Sequence, residues 1–85
     1  MVEQILVINN KYGIHMRTAA QISNLCEKFE CEIFINDGKY NYNAKSIFQL
    51  IQAEITKGKR VIISADGVDE YKAIAAVVGL INSFV

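Results

Sequence analysis

The sequence predicts an α+β domain in which a four-stranded, mainly antiparallel sheet carries three helices on one face, in the order β-α-β-β-α-β-α. Three observations lead there. Asp37-Gly38 stands between two short strand-like segments, the two-residue signal of a hairpin. Apolar residues recur at helical spacing in two separate stretches, while β-branched runs open the chain and return near its last third. The chain has 85 residues, 52% of them hydrophobic, which fits one small core over residues 1–85 with no linker or repeat.

Val2 to Ile8 is a nearly unbroken apolar run ending in Asn9-Asn10, which reads as a buried strand followed by a loop that closes at Gly13. From about Met16 to Phe29, Ala19, Ile22, Cys26 and Phe29 fall on one helical face. Glu32 to Asn36 and Lys39 to Asn43 flank Asp37-Gly38, whose residues both tolerate positive φ and so suit a type I′ turn. Ser46-Ile47-Phe48-Gln49 has capping-box spacing, with a short helix from Ile47 to about Ile55. Gly58 lets the backbone turn out, and Val61, Ile63 and Ala65 alternate along a strand from Arg60 to Ala65. Asp69 is placed to cap a last helix, Glu70 to about Phe84, with Ile74, Val77, Val78 and Ile81 as its core stripe. Gly79 inside that helix suggests close packing there.

On this element order alone the blandest function is that of a small ferredoxin-like binding module. Nine Lys+Arg balance nine Asp+Glu, which argues against nucleic acid as a partner. The longest apolar stretch, Ile74 to Ile81, is far short of a bilayer span, and the start lacks a basic signal region, so no membrane role and a cytoplasmic location are expected. Cys26 and Cys31 have no second Cys or His cluster near them in sequence, so no metal site is expected and both read as buried, reduced thiols. A chain this short buries only about 60% of its unfolded surface, so chemistry belongs on the surface.

His15 stands before the first helix, with Gly13 before it and Arg17 after it. A helix N-terminus offers unpaired backbone N–H groups and a partial positive charge, so the amides of Met16 and Arg17 can hold an anion. The same field favours the neutral, nucleophilic imidazole. Arg17 adds a fork that meets phosphate oxygens at two points. Gly-x-His-x-Arg is thus a device for holding a phosphoryl group on an imidazole.

The stretch Gly13-Ile14-His15-Met16-Arg17-Thr18-Ala19-Ala20 resembles the active-centre signature of HPr, the histidine-containing phosphocarrier family of the bacterial phosphoenolpyruvate:sugar phosphotransferase system. Asn43-Ala44-Lys45-Ser46-Ile47 resembles the same family's regulatory serine segment, at the expected distance downstream. The resemblance implies an open-faced β-sandwich and a relay: enzyme I phosphorylates Nδ1 of His15, Arg17 stabilises the phosphate, and the IIA components of sugar transporters take the group on. It also implies that an HPr kinase/phosphorylase modifies Ser46, adding a charge of about −1.5 to −2. It implies a monomer with no cofactor or metal, and partner docking through Met16, Ala20, Ile47, Phe48 and Ile51.

Two positions depart from the usual signature: Met16 stands where the family has Ala, and Thr18 where it has Pro. Proline there fixes φ and removes an N–H. Thr18-Ala19-Ala20-Gln21 is moreover a capping box of its own, which would start the helix three residues late and dismantle the cradle at Met16 and Arg17. The departure keeps alive a regulatory protein that acts mainly through phospho-Ser46 on a transcription factor or enzyme. Whether Phe48 belongs to core or surface is open, because Ile47, Phe48, Leu50 and Ile51 crowd one short helix.

Overall fold

The computed structural model describes residues 1–85. Its elements are β1 (Val2–Val7), α1 (Met16–Cys26), β2 (Glu32–Asn36), β3 (Asn41–Asn43), α2 (Ile47–Gln52), β4 (Arg60–Asp66) and α3 (Glu70–Ser83). This is the expected order, with a wholly antiparallel sheet arranged β1-β4-β2-β3. The helices cover one face, and no helix is long and apolar enough to cross a membrane.

Alternation builds the core. In β4, Val61, Ile63 and Ala65 are buried, and they stand level with Ile33 and Ile35 of β2 and the inner side of β1. Ala19, Ile22 and Cys26 of α1 and Ala73, Val77 and Ile81 of α3 close over them. Burying the Val and Ile side chains among them is worth about 1.5–3 kcal/mol each against leaving them in water.

Several expectations need correction. β1 is an edge strand rather than a buried one: only Leu6 is buried within it, Ile5 is 61% exposed, and Ile8 enters the core just after the strand ends. α1 stops at Cys26, and Phe29 packs on the core from the following turn. The hairpin is not type I′. Asn36 pairs with Asn41, so residues 37–40 form a four-residue loop. Gly38 alone there has positive φ, while the Asp37 carboxylate accepts from the N–H groups of Lys39 and Tyr40 at 2.9 and 2.8 Å. An acceptor on the side chain favours this wider turn over one that needs Asp37 itself at positive φ.

α2 ends at Gln52 instead of Ile55, because Glu54 takes a φ of +52° and turns the chain inward. Ile55 is then buried outside any helix. Ile74 and Val78 flank the α3 core stripe, half-buried, rather than forming its centre. Asp69 sits at the α3 N-cap position without capping it. Its carboxylate accepts from Glu30 N–H and Cys31 N–H, both at 2.9 Å, and so ties the start of α3 to the start of β2. A Cβ on Gly79 would meet nothing within 4 Å, so the close packing expected there is absent.

Candidate functional site

The loop from β1 to α1 is set by Gly13. Its N–H donates to Asn10 C=O at 3.1 Å and its φ is +63°, so the turn is tight and left-handed. An ideal Cβ at this position would lie 2.3 Å from Ile55 O, and the next residue, Ile14, donates its N–H to that oxygen at 2.8 Å. The loop is therefore docked on the segment that leaves α2. Asn10, itself buried, donates Nδ2–H to Gly13 O at 2.7 Å and leaves its own Oδ1 without a partner.

His15 follows as the N-cap of α1, in extended conformation. Nδ1 accepts from Arg17 N–H at 3.3 Å, while Thr18 Oγ1 accepts from His15 N–H at 2.9 Å. Together these bonds cap the helix as a capping box does, the histidine ring taking the part usually played by a serine or aspartate and holding Arg17 N–H while Thr18 reaches back to His15 N–H. The helix thus starts at Met16, and the rival start at Thr18 does not occur. Thr18 occupies the third helical position and strengthens the start it threatened to displace.

Because Nδ1 accepts, it carries no proton in the neutral ring, and the proton sits on Nε2. The unshared pair of Nδ1 faces the unpaired N–H groups and positive end of α1, where an anion is stabilised. Arg17 lies exposed beside it and enters no ion pair. The Tyr12 ring meets His15 edge-on, with centroids 6.3 Å apart and planes at 84°, and Lys11 Nζ stands 5.3 Å over Tyr12. Tyr12, His15, Arg17 and Gln21 line a shallow depression bordered by Leu80 and Phe84. Neither Asn10 nor Tyr12 stood out in the sequence, although Asn10-x-x-Gly13 is a turn signal that points to the first.

Ser46 is the N-cap of α2. Its Oγ accepts from Gln49 N–H at 3.3 Å, but the Gln49 side chain accepts from Asn43 N–H at 2.8 Å instead of reaching back. Only half of the expected box forms. Ser46 N–H donates to Asn43 O at 3.0 Å, which closes the turn into the helix. Ser23 Oγ donates to Lys45 O at 2.9 Å and fastens this turn to α1. Lys45 points its ammonium to Phe29 O at 2.7 Å, at the far end of α1, rather than toward the serine.

Phe48 is 81% exposed and Met16 71% exposed, so the open question about Phe48 is answered in favour of the surface. Ile47 and Ile51 are half-buried against the core, Ala20 is half-buried, and Leu50 is the one residue of α2 buried outright. α1 and α2 pack on each other. Cys26 and Cys31 are buried and free. Burial pushes the Cys26 thiol to about 12 and that of Cys31 to about 11, where the Asp69 carboxylate also opposes ionisation. Both remain protonated at neutral pH.

Residues 2–83 match the family model PTS-HPr, described as the PTS HPr component phosphorylation site. Phosphocarrier protein NPr of Escherichia coli K12 is 35% identical over 83 residues, which cover 96% of this chain and 92% of NPr. Phosphocarrier protein HPr of Haemophilus influenzae is 41% identical over 69 residues, 81% of each chain. Among solved structures, HPr from Thermoanaerobacter tengcongensis superposes with a TM-score of 0.93 at 38% identity, covering 98% of this chain and 93% of that one.

Proposed function

The chain belongs to the PTS-HPr family of phosphocarrier proteins, and from that premise we propose that it relays a phosphoryl group from phosphorylated enzyme I to the IIA components of sugar transporters, carrying it on Nδ1 of His15. The observation that supports this reading best is the hydrogen bond from Arg17 N–H to Nδ1. It holds the nucleophilic pair at the positive end of α1, where phosphoryl oxygens gain the backbone N–H groups and the Arg17 guanidinium.

In the forward step the Nδ1 pair attacks phosphorus, a bond from Nδ1 to phosphorus forms, and the bond from phosphorus to the donor breaks with its electron pair leaving on the donor. His15 keeps its Nε2 proton, so no proton transfer is needed. The return step on an IIA component is the same exchange reversed. The surface of Met16, Ala20, Ile47, Phe48 and Ile51 docks both partners in the cytoplasm, which lets one small domain visit them in turn. Ser46 is the regulatory site: an HPr kinase/phosphorylase adds a phosphate there, and the charge disfavours acidic partner surfaces. The intact pair of His15 and Arg17 favours this relay over a protein acting on a transcriptional regulator through Ser46 alone.

Incubation with phosphoenolpyruvate and enzyme I tests the relay. An acid-labile phosphate that is absent in His15→Ala is expected; no labelling with several enzymes I overturns the reading. ATP and HPr kinase should give acid-stable phosphate that Ser46→Ala abolishes, and its absence removes the regulatory role.

A further inference from the structure

We propose that Thr18 is a positioning residue that holds the start of α1 together while His15 carries the phosphoryl group. This role builds on the phosphocarrier reading above. The cap of α1 has two halves. In one, His15 Nδ1 accepts from Arg17 N–H at 3.3 Å. In the other, Thr18 Oγ1 accepts from His15 N–H at 2.9 Å.

Phosphorylation consumes the first half. Once a bond from Nδ1 to phosphorus forms, the nitrogen has no pair left to offer, and Arg17 N–H must turn to a phosphoryl oxygen. For as long as the group is carried, the helix start has lost the ring as its acceptor, and Arg17 N–H depends on a phosphoryl group that turns about its bond to Nδ1. A residue that is both the reacting group and the cap therefore puts the cradle at risk each time it reacts.

The second half involves no ring atom. The Thr18 hydroxyl holds the backbone N–H of His15 and points its own hydrogen at Gly13 O, 3.2 Å away, with His15 O a second acceptor at 3.3 Å. Gly13 O also receives Asn10 Nδ2–H at 2.7 Å. One hydroxyl thus joins the first turn of α1 to the loop that Gly13 and Ile14 dock on Ile55. Thr18 is only 4% exposed, so water does not replace the hydroxyl when it is removed. In signatures with proline here, a ring stiffens the turn; in this chain a hydrogen-bonded hydroxyl does so.

The test compares wild type, Thr18→Val and Thr18→Ser by amide hydrogen exchange in the first turn of α1, with and without the phosphoryl group on His15, together with the hydrolysis rate of the phosphohistidine. Loss of one buried hydrogen bond corresponds to about a fivefold rise in opening. Thr18→Val should show that rise without phosphate, a larger one with phosphate, and a shorter-lived phosphohistidine; Thr18→Ser should restore all three. Equal effects of Thr18→Val in the two states overturn the proposal.

A second arm needs no phosphoryl transfer. His15→Ala removes the ring half of the cap, so if each half supports the turn alone, His15→Ala combined with Thr18→Val opens it by more than the product of the single effects. A simple product contradicts the proposal. Should Thr18→Val not fold, Thr18→Ala serves in both arms. Failure of wild type to accept phosphate would defeat the carrier reading while the double-mutant cycle still decides the role of Thr18.

Discussion

Arg17 N–H donates to Nδ1 of His15 at 3.3 Å, which makes the histidine the cap of the helix whose positive end it faces. In the proposed relay, the unshared pair and the phosphate cradle are thereby the same place. Nothing else need move for the ring to be aligned, and the contact is long enough to give way to a phosphoryl oxygen.

Arg17→Ala should slow phosphoryl transfer by about tenfold, because an exposed charge-assisted contact lies at the lower end of its range. Arg17→Lys should recover part of the rate, since it keeps the charge and loses the fork. Single-turnover transfer from phosphorylated enzyme I measures this; a rate unchanged in Arg17→Ala would remove the guanidinium from the site.

Two glycines give opposite predictions for the same substitution. Gly13→Ala forces a Cβ onto Ile55 O at a φ of +63° and should cost more than about 2 kcal/mol. Gly79→Ala places its Cβ in open space within α3 and should stabilise by about 0.5–1 kcal/mol. Urea unfolding midpoints decide both.

Phe48→Ala should leave stability within about 0.5 kcal/mol of wild type, as expected for an exposed side chain. Its binding to enzyme I should weaken by about tenfold if the ring is a docking anchor. Equal affinity for the two proteins, measured by titration calorimetry, would move the docking surface elsewhere.

Asp69 predicts an acid limb. Hydrogen bonds from Glu30 N–H, with further ones from Cys31, hold its carboxyl below the usual carboxylate range. A group depressed in the folded state contributes stability that is complete above its unfolded pKa of about 3.9 and is lost as pH falls through the lower folded value. Asp69→Asn should therefore lower Tm above about pH 4 and flatten its fall in more acid solution. Parallel profiles for the two proteins would show that the bond carries no linkage.

The elements that rest on side-chain periodicity were legible in the sequence: α1 and α3 from their apolar faces, β4 from strict alternation. What was not legible depends on partners distant along the chain. Asp69 looks like a cap until Glu30 and Cys31 arrive beside it, and Gln49 looks like half a box until Asn43 N–H claims its oxygen. Val2 to Ile8 looks buried because composition does not show that its strand lies at the sheet edge with one face open. At the site, His15 and Arg17 stood out because their chemistry is scarce in this sequence. Thr18 is ambiguous in the sequence, because a threonine three residues into a helix reads as a rival cap until its hydroxyl is seen on His15 N–H.

In the proposed relay the phosphoryl group rides on the nitrogen facing α1. Nitrogen-15 NMR of the ring in the phosphorylated protein tests it directly. Phosphorus coupled to Nδ1, with the proton retained on Nε2, is the predicted result. Phosphorus on Nε2, or none on His15 at all, would contradict it.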